Sequence, residues 1–595
     1  MASISSKWKH FTFPFILLFI ALLFLATNYV FFTVNYTRQL NEEFQNVSAY
    51  LRTLRNPEWF DALSRDLIRE EDEIEISLMN AGRFPSHARR TGADVKTARD
   101  NPEWFDFVAR KFRDERMNIG LVNVDPTLDE VRTRAEMVEV RFERVGEEVK
   151  WSDLAPERID ANSTCPVIPM PIFEDYRDLD VVVARVSSCG GGGGGGGGLR
   201  DVLRLQVNLV VANLVVRSGR RENGDLFVVF VGNCKPMWEI FTCDDLLWKD
   251  AESWIFKPEL TRLQDLVLLP VGPCQFVPPV SLYDYEITGT EQWRRQNHII
   301  TTTTAETNHH NHHHRHPPPP REAYVTVLHT SEAYVCGAIV LAQSLILSNT
   351  TKDLVLLADD NMSTASISGL RSAGWKIKRI ERIRSPFSRE NSYNEWNYSK
   401  LRIWQLTEYD KLIFIDADLI VNRNMDVFFA YPQMTAAGNY QRHLFNSGLM
   451  VVEPSRCAYD ALVEEMAVVE SYNGGDQGFL NEMYSWWHRL PPQMNYLKVF
   501  VDVNDHLRWV EKSVYAVHYT GLKPWRCPDE ARDCNWDWPE FRRYASNTAH
   551  KMWWRVHGTL PENLKDFCIV RDIYNGEDNG GASSPAGQPV MNYTG

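Results

Sequence analysis

The stretch KLIFIDADLIV, Lys411 to Val421, decides how this chain is read. It opens on an apolar run of strand length, Leu412 to Ile415, and two carboxylates follow at once, Asp416 and Asp418, with Ala417 between them. Acidic residues that end a strand stand at the carboxyl edge of a sheet, which is where open α/β sheets hold their ligands. Two hard oxygen donors at that edge suit Mg²⁺ or Mn²⁺ bridging a diphosphate. The chain carries its own control: Asp178 and Asp180 have the same spacing in DLDVVV, but ahead of the apolar run. That second pair reads as structural.

Upstream of Lys411, strand and helix patterns alternate. YVTVL from Tyr324 reads as a strand, Tyr334 to Ser348 as a helix, DLVLLA from Asp353 as a strand, Ser363 to Ala373 as a helix and WKIKRI from Trp375 as a strand. This alternation predicts an open α/β sheet. Downstream come three short motifs that are rich in polar ligands. FNSGLMVVEPS (Phe445 to Ser455) sets an amide, a hydroxyl and a glycine ahead of an apolar strand. NGGDQGFLNE (Asn473 to Glu482) bends on its glycines and then offers Asp476 and Gln477 at a helix start, and HYTGLKPW (His518 to Trp525) offers an imidazole, a glycine and Lys523. Each alone reads as a turn, a loop or a core histidine; together they have the groups that a nucleotide-sugar site requires.

The remainder of the chain is organised around that region. At 595 residues, 44% of them hydrophobic and 24% charged, it has material for several folded units. With 64 Lys and Arg against 78 Asp and Glu, the net charge is -14, which argues against a nucleic-acid binder. Phe11 to Val34 contains no charge and reaches about 36 Å as a helix, enough to cross a bilayer. Lys7 and Lys9 precede it, so we read a type II signal anchor (11–34) after a cytosolic tail (1–10). Everything beyond is then lumenal, in keeping with sequons at Asn46, Asn162, Asn349, Asn361, Asn397 and Asn592. In an oxidising lumen the 10 Cys are able to pair, with Cys527 and Cys534 candidates by proximity.

A charged, helix-like stem is expected over 35–165, with NPEWFD at Asn56 to Asp61 repeated at Asn101 to Asp106. An accessory domain follows over 166–290, with strand-like stretches at Leu203 to Leu209 (LRLQVNL) and from Leu226 (LFVVFVG), interrupted by glycines from Gly190 to Gly198. A His- and Pro-rich linker (291–321) leads to the α/β region (322–526), then a C-terminal extension (527–580) and a disordered tail (581–595).

In order and spacing, AYVTVLHTSEAYVCGA, SKLRIW, FIDADLIV, FNSG, GGDQGFLN and HYTGLKPW resemble the glycogenin-like retaining glycosyltransferases of family eight, over about Ala323 to Trp525. RDVLRLQVNLVVANLVV, GNCKPMWEIFTCDDLLW, SYNGGDQGFLNEMYSWWHRLPPQMNYLK, DCNWDW and HKMWWRVHGTLPENLKDFC extend the likeness to the plant Golgi glucuronosyltransferases that decorate xylan. The resemblance implies a GT-A type, Rossmann-like nucleotide-sugar-binding domain. It implies that Asp416, Asp418 and His518 hold Mn²⁺ on the diphosphate of a UDP-sugar, and that Leu328, Thr330 and Tyr334 surround the uridine. Lys400 and Lys523 would contact phosphates or sugar, Gly521 would let the backbone approach the phosphates, and Ala417, Ser447 and Gly448 would line the same site. Asn446, Asp476 and Gln477 would address the transferred sugar, with Asp476 or Gln477 nearest its reacting carbon. No tyrosine between Val499 and Asp505 matches the self-glucosylated one of glycogenin.

Three readings follow. The first is an Mn²⁺-dependent enzyme of the Golgi membrane transferring glucuronic acid from UDP-glucuronate to xylan, with Arg442 and His443 as candidates for the donor carboxylate. It would act alone, as a homo-oligomer or beside other glycosyltransferases. The second is UDP-glucose transfer to a glucan or protein primer. The third is an inactive glycan-binding scaffold, against which the presence of both Asp416 and Asp418 speaks.

Overall fold

The computed structural model describes residues 102–112, 116–124, 135–159, 165–186, 200–218, 226–278, 320–329, 332–439, 443–500, 508–527 and 529–568. Two sheets organise them. The first contains β1 (Met117–Val122), β2 (Ala135–Val140), β3 (Val181–Ala184), β4 (Phe227–Val231), β5 (Leu246–Lys249) and β6 (Ser253–Phe256), in the order β2-β1-β3-β4-β6-β5. Strands β2, β1, β3 and β4 run parallel, while β6 is antiparallel to β4 and β5. Helix α1 (Glu103–Lys111) covers one face with Trp104, Phe105 and Val108. Helix α2 (Val202–Ser218) covers the other.

Two expectations are corrected here. The accessory sheet begins well before Pro166: β1 pairs with β3, so the last third of the 35–165 stem belongs to this sheet, and the second NPEWFD copy runs into α1. LRLQVNL is not a strand but the start of α2. Its apparent alternation arises because α2 is buried nearly all round, and its polar positions are satisfied inside the core. Gln206 donates to the carbonyls of Glu143 and Pro169 and accepts from the Val145 amide, while Asn208 accepts from the Met237 amide. Buried amides so satisfied are tolerated where unpaired ones would be costly.

The second sheet has the order β14-β12-β13-β10-β7-β8-β9. Its parallel part is β7 (Glu322–Leu328), β8 (Asp353–Asp359), β9 (Lys376–Ile380) and β10 (Lys411–Ile415). Strand β13 (Phe445–Val452) is antiparallel to β10 and to β12 (Thr435–Gly438), and β14 (His488–Leu490) closes the edge. The central strands are apolar on both faces because helices cover both, as parallel sheets require. Helix α3 (Val335–Leu347) lies on one side with ten buried residues, and α4 (Thr364–Ser372) packs beside it. On the opposite face Trp404, Tyr398, α5 (Arg456–Glu465) and α6 (Asp476–Met483) form a second core.

A three-stranded sheet completes the site wall: β11 (Leu419–Val421), β15 (Tyr496–Leu497) and β16 (Ala516–His518). The region after Arg526 is not an appendage, since Trp553 of α7 (Asn547–Gly558), Leu560, Leu564 and Cys568 share the main core with α3. Disulfides join Cys336 to Cys568, Cys243 to Cys457, Cys165 to Cys274 and, as proximity suggested, Cys527 to Cys534. No described helix is long and apolar enough to cross a membrane; Phe11 to Val34, the first NPEWFD copy, the glycine run and most of the His/Pro linker lie outside the described residues.

Candidate active site

The chain leaves β7 for β8 and β9 on one side and returns to β10 on the other, so the crevice at their carboxyl ends is the switch point where such sheets bind ligands. Asp416 emerges there from β10, its amide bonded to the Gly448 carbonyl at 2.9 Å. Because β13 is antiparallel to β10, with Ile415 opposite Leu449, the Asn446–Gly448 segment is delivered beside the carboxylates. It lies within the strand itself, not ahead of it. The chain then enters β11, whose Leu419 pairs with His518. That pairing sets His518 Nε2 3.3 Å from Asp418 Oδ1, while Lys523 Nζ approaches Asp418 Oδ2 to 2.5 Å.

Asp416, Asp418 and His518 each present one ligand atom within 4.8 Å of the others. The Nδ1 of His518 is buried and without a partner among the described residues. Two carboxylates and an imidazole form a donor set that fits a divalent metal ion. Gly448 is what permits it, because a Cβ there would stand 2.4 Å from His518 Cε1. Burial works to raise the Asp418 pKa, but Lys523 and His518 outweigh it and hold the carboxyl far below the usual range. Asp416 is pushed up, by burial first and by Asp418 second, against the pull of Lys400.

The second half of the site is a buried network around Lys400. Its Nζ lies 2.6 Å from Asp476 Oδ2 and 3.5 Å from Asp416 Oδ1, and it donates to the Ser447 carbonyl and hydroxyl at 3.2 Å. Burial would lower the Lys400 pKa; Asp416 and Asp476 raise it above its ordinary value, so the ammonium is retained. Ser447 Oγ donates to Asp476 at 2.7 Å. Asn446 Nδ2 donates to Gln477 Oε1 at 3.1 Å, and its Oδ1 accepts from Asn495 at 2.8 Å. Gln477 in turn donates to Tyr472 Oη at 2.8 Å. Lys400 therefore links the Asp416 end of the site to the Asp476 end.

Of the other expected residues, Leu328 is buried at the end of β7, and Tyr334 packs edge-on against Trp525 with ring centroids 5.5 Å apart. Gly521 has φ +79°, and the space of a Cβ is filled by Asn535 and Tyr544, so its glycine character serves this packing. Thr330 and Arg442 lie outside the described residues. His443 sits on an exposed turn, where Glu157, Arg200 and Arg489 are its charged neighbours, and it is not part of the Lys400 network.

Several residues escaped the sequence reading. His329, directly after β7, has a buried Nδ1 without a partner among the described residues and is held down to about pKa 4 by burial, with Asp476, Lys400, Arg382 and Asp359 acting on it. Tyr393 hydrogen-bonds Tyr334 within the field of Asp416 and Asp418. Asn481 accepts from the Phe445 amide at 2.9 Å and donates to its carbonyl at 3.0 Å, fastening α6 to β13. None of the three has a local signal in the sequence. The second acidic pair is structural as expected, with Asp180 accepting the Asn118 amide at 2.8 Å.

Residues 95–274 match the family described as GUX1-5 N-terminal domain, and residues 325–435 match Glycosyl transferase family 8. The putative UDP-glucuronate:xylan alpha-glucuronosyltransferase 4 of Arabidopsis thaliana is 45% identical over 492 residues, covering 81% of this chain and 86% of that protein. UDP-glucuronate:xylan alpha-glucuronosyltransferase 2 of the same plant is 45% identical over 76% of this chain and 74% of its own length. Human glycogenin-1 is 30% identical over 42% of this chain and 76% of its own.

Proposed function

Because this chain belongs to the UDP-glucuronate:xylan alpha-glucuronosyltransferase family within glycosyl transferase family 8, we propose that it transfers glucuronic acid from UDP-glucuronate onto xylan. The observation that carries this reading is that the 45% identity runs across both sheets, not through the family-eight core alone.

In this reading Asp416, Asp418 and His518 hold Mn²⁺, which offsets diphosphate charge and makes UDP a better leaving group. Lys523 would supply a second positive charge to the phosphates, and Leu328 and Tyr334 would form the nucleotide side, with Thr330 proposed beside them from the resemblance alone. Lys400, Ser447 and Asn446 orient Asp476 and Gln477 towards the transferred sugar, so that dipoles are in place before charge develops at its reacting carbon. For the donor's carboxylate the candidates are Lys400 and Arg382, the cations whose charge reaches His329, with the neutral His329 imidazole as a hydrogen-bond partner. Tyr393, Tyr472 and Phe387 are exposed rings on the loops flanking this region, suited to stacking on acceptor sugars.

The compartment belongs to the same proposal: a type II anchor at 11–34 and a Golgi lumen, supported by disulfides that an oxidising compartment favours. The test offers the lumenal fragment UDP-glucuronate and UDP-glucose in parallel, with Mn²⁺ and xylo-oligosaccharides, and weighs the product by mass spectrometry. A glucuronate increment is expected. A glucose increment, or none with either donor, would overturn the reading.

A further inference from the structure

Two sequence motifs have no part in the chemistry above: GNCKPMWEIFTCDD of the accessory domain and NEMYSWWHR, which begins in the last turn of α6 and runs beyond it. In the fold they bind each other. The segment Lys235 to Phe241 is first fixed from inside its own domain. Arg204 donates to the carbonyls of Lys235 and Pro236 at 3.2 and 3.1 Å, Asn208 accepts from the Met237 amide at 3.0 Å, and Met237, Ile240 and Phe241 fill the core beneath α2.

So anchored, the segment presents Trp238 and Glu239 to the other domain. Glu239 is buried, and a single carboxylate oxygen, Oε1, accepts from the Ser485 amide (3.0 Å), the Ser485 hydroxyl (3.1 Å) and the Trp486 amide (3.3 Å). Trp238 Nε1 donates to the Met483 carbonyl at 2.6 Å, one of the helix-end carbonyls that α6 cannot satisfy itself. Its ring meets Tyr484 with centroids 4.5 Å apart, and Arg200 adds an ion pair to Glu482 at 2.9 Å. All of these contacts fall on the last residues of α6 or just beyond it.

The first two residues of α6 are Asp476 and Gln477. An eight-residue helix is a rod of about 12 Å, so fixing its carboxyl end fixes where its amino end points. We propose that Glu239 is a positioning residue of the transferase site: the accessory domain grips the carboxyl end of α6 through Glu239 and Trp238, and thereby sets Asp476 and Gln477 against the donor sugar. This rests on the role given to Asp476 and Gln477 above and assigns the accessory domain a part in turnover.

The full-length protein carrying Glu239→Ala, Glu239→Gln or Trp238→Phe tests this, with turnover normalised to UDP-binding sites counted by calorimetric titration. That normalisation removes any loss due to unfolded protein. Misplacement by an ångström costs up to about 10²-fold, so Glu239→Ala should lose about 10- to 100-fold in kcat per site with UDP affinity unchanged. Glu239→Gln keeps an oxygen acceptor and should stay within about threefold. Trp238→Phe keeps the ring but not the donor and should lie between the two. Amide exchange across Gln477 to Met483, faster in Glu239→Ala and normal in Glu239→Gln, reads the same displacement whichever sugar is transferred. It therefore separates this inference from the identity of the donor. Unchanged kcat per site and unchanged exchange in Glu239→Ala and Trp238→Phe would overturn the proposal.

Discussion

Asp418 has Lys523 on one oxygen and the His518 imidazole beside the other, so its negative charge organises both side chains. Asp418→Asn keeps the shape and removes the charge. We expect at least about a 10²-fold loss of transfer, read by UDP release, together with a lowered melting temperature because Lys523 loses its buried counter-charge. Full activity of this variant in chelator-treated protein would end the metal assignment. Gly448→Ala acts on the same centre sterically: its Cβ would come 2.4 Å from His518 Cε1, and the ring must turn away. The expected result is a rise of about 10-fold or more in the Mn²⁺ concentration for half activity, measured by metal titration of a folded variant. For His329, a neutral imidazole whose buried Nδ1 has no partner among the described residues is able to donate to a carboxylate in the tautomer protonated there, which predicts donor discrimination. His329→Asn should lower kcat/KM for UDP-glucuronate by about 10-fold more than for UDP-glucose, as competition assays with both donors would show.

Between residues and domains, α6 and β13 behave as one element, because buried Asn481 bonds both backbone groups of Phe445 and the Gln477 carbonyl. Asn481→Ala leaves those groups unpaired and should cost about 1–3 kcal/mol of stability, read by thermal unfolding, together with a fall in activity. The contrast with the sequence is instructive at this scale. The βα alternation from Tyr324 to Ile415 was legible because parallel strands are continuous apolar runs and their helices carry clear breaks. Helix α2 was misread because burial on all sides erases helical periodicity, leaving the chance alternation of LRLQVNL. His518 opposite Asp418 depends on β11 pairing with β16, and Glu239 reaches Ser485 across more than two hundred residues. Spacing carries no information about either. The candidate site residues come from resemblance; their neighbours His329, Tyr393 and Asn481 needed the fold.

Acid sensitivity is a property of the whole molecule. Burial lowers His329 to about pKa 4 and His488 to about 3, against 6.5 for the free side chain. Below pH 6.5 the unfolded chain therefore binds protons that the folded chain refuses, so stability falls as pH drops through that window and levels off below the folded values. Lowering the pH from 7.5 to 5 should cost on the order of 2 kcal/mol for each residue, and His488→Gln should lose less stability over the same range in melting scans. A different consequence follows from the joining of Cys336, in the first helix of the catalytic core, to Cys568, and from the placing of Trp553 and Leu564 in that same core. The segment that carries α3 is made early and the last side chains of its core are made late, 232 residues later. At about 5–20 residues per second, α3 waits on the order of 10–50 s on the ribosome for its partners. During that interval the apolar face of α3 lacks the side chains that cover it in the fold, and this core closes only after Cys568 has been added.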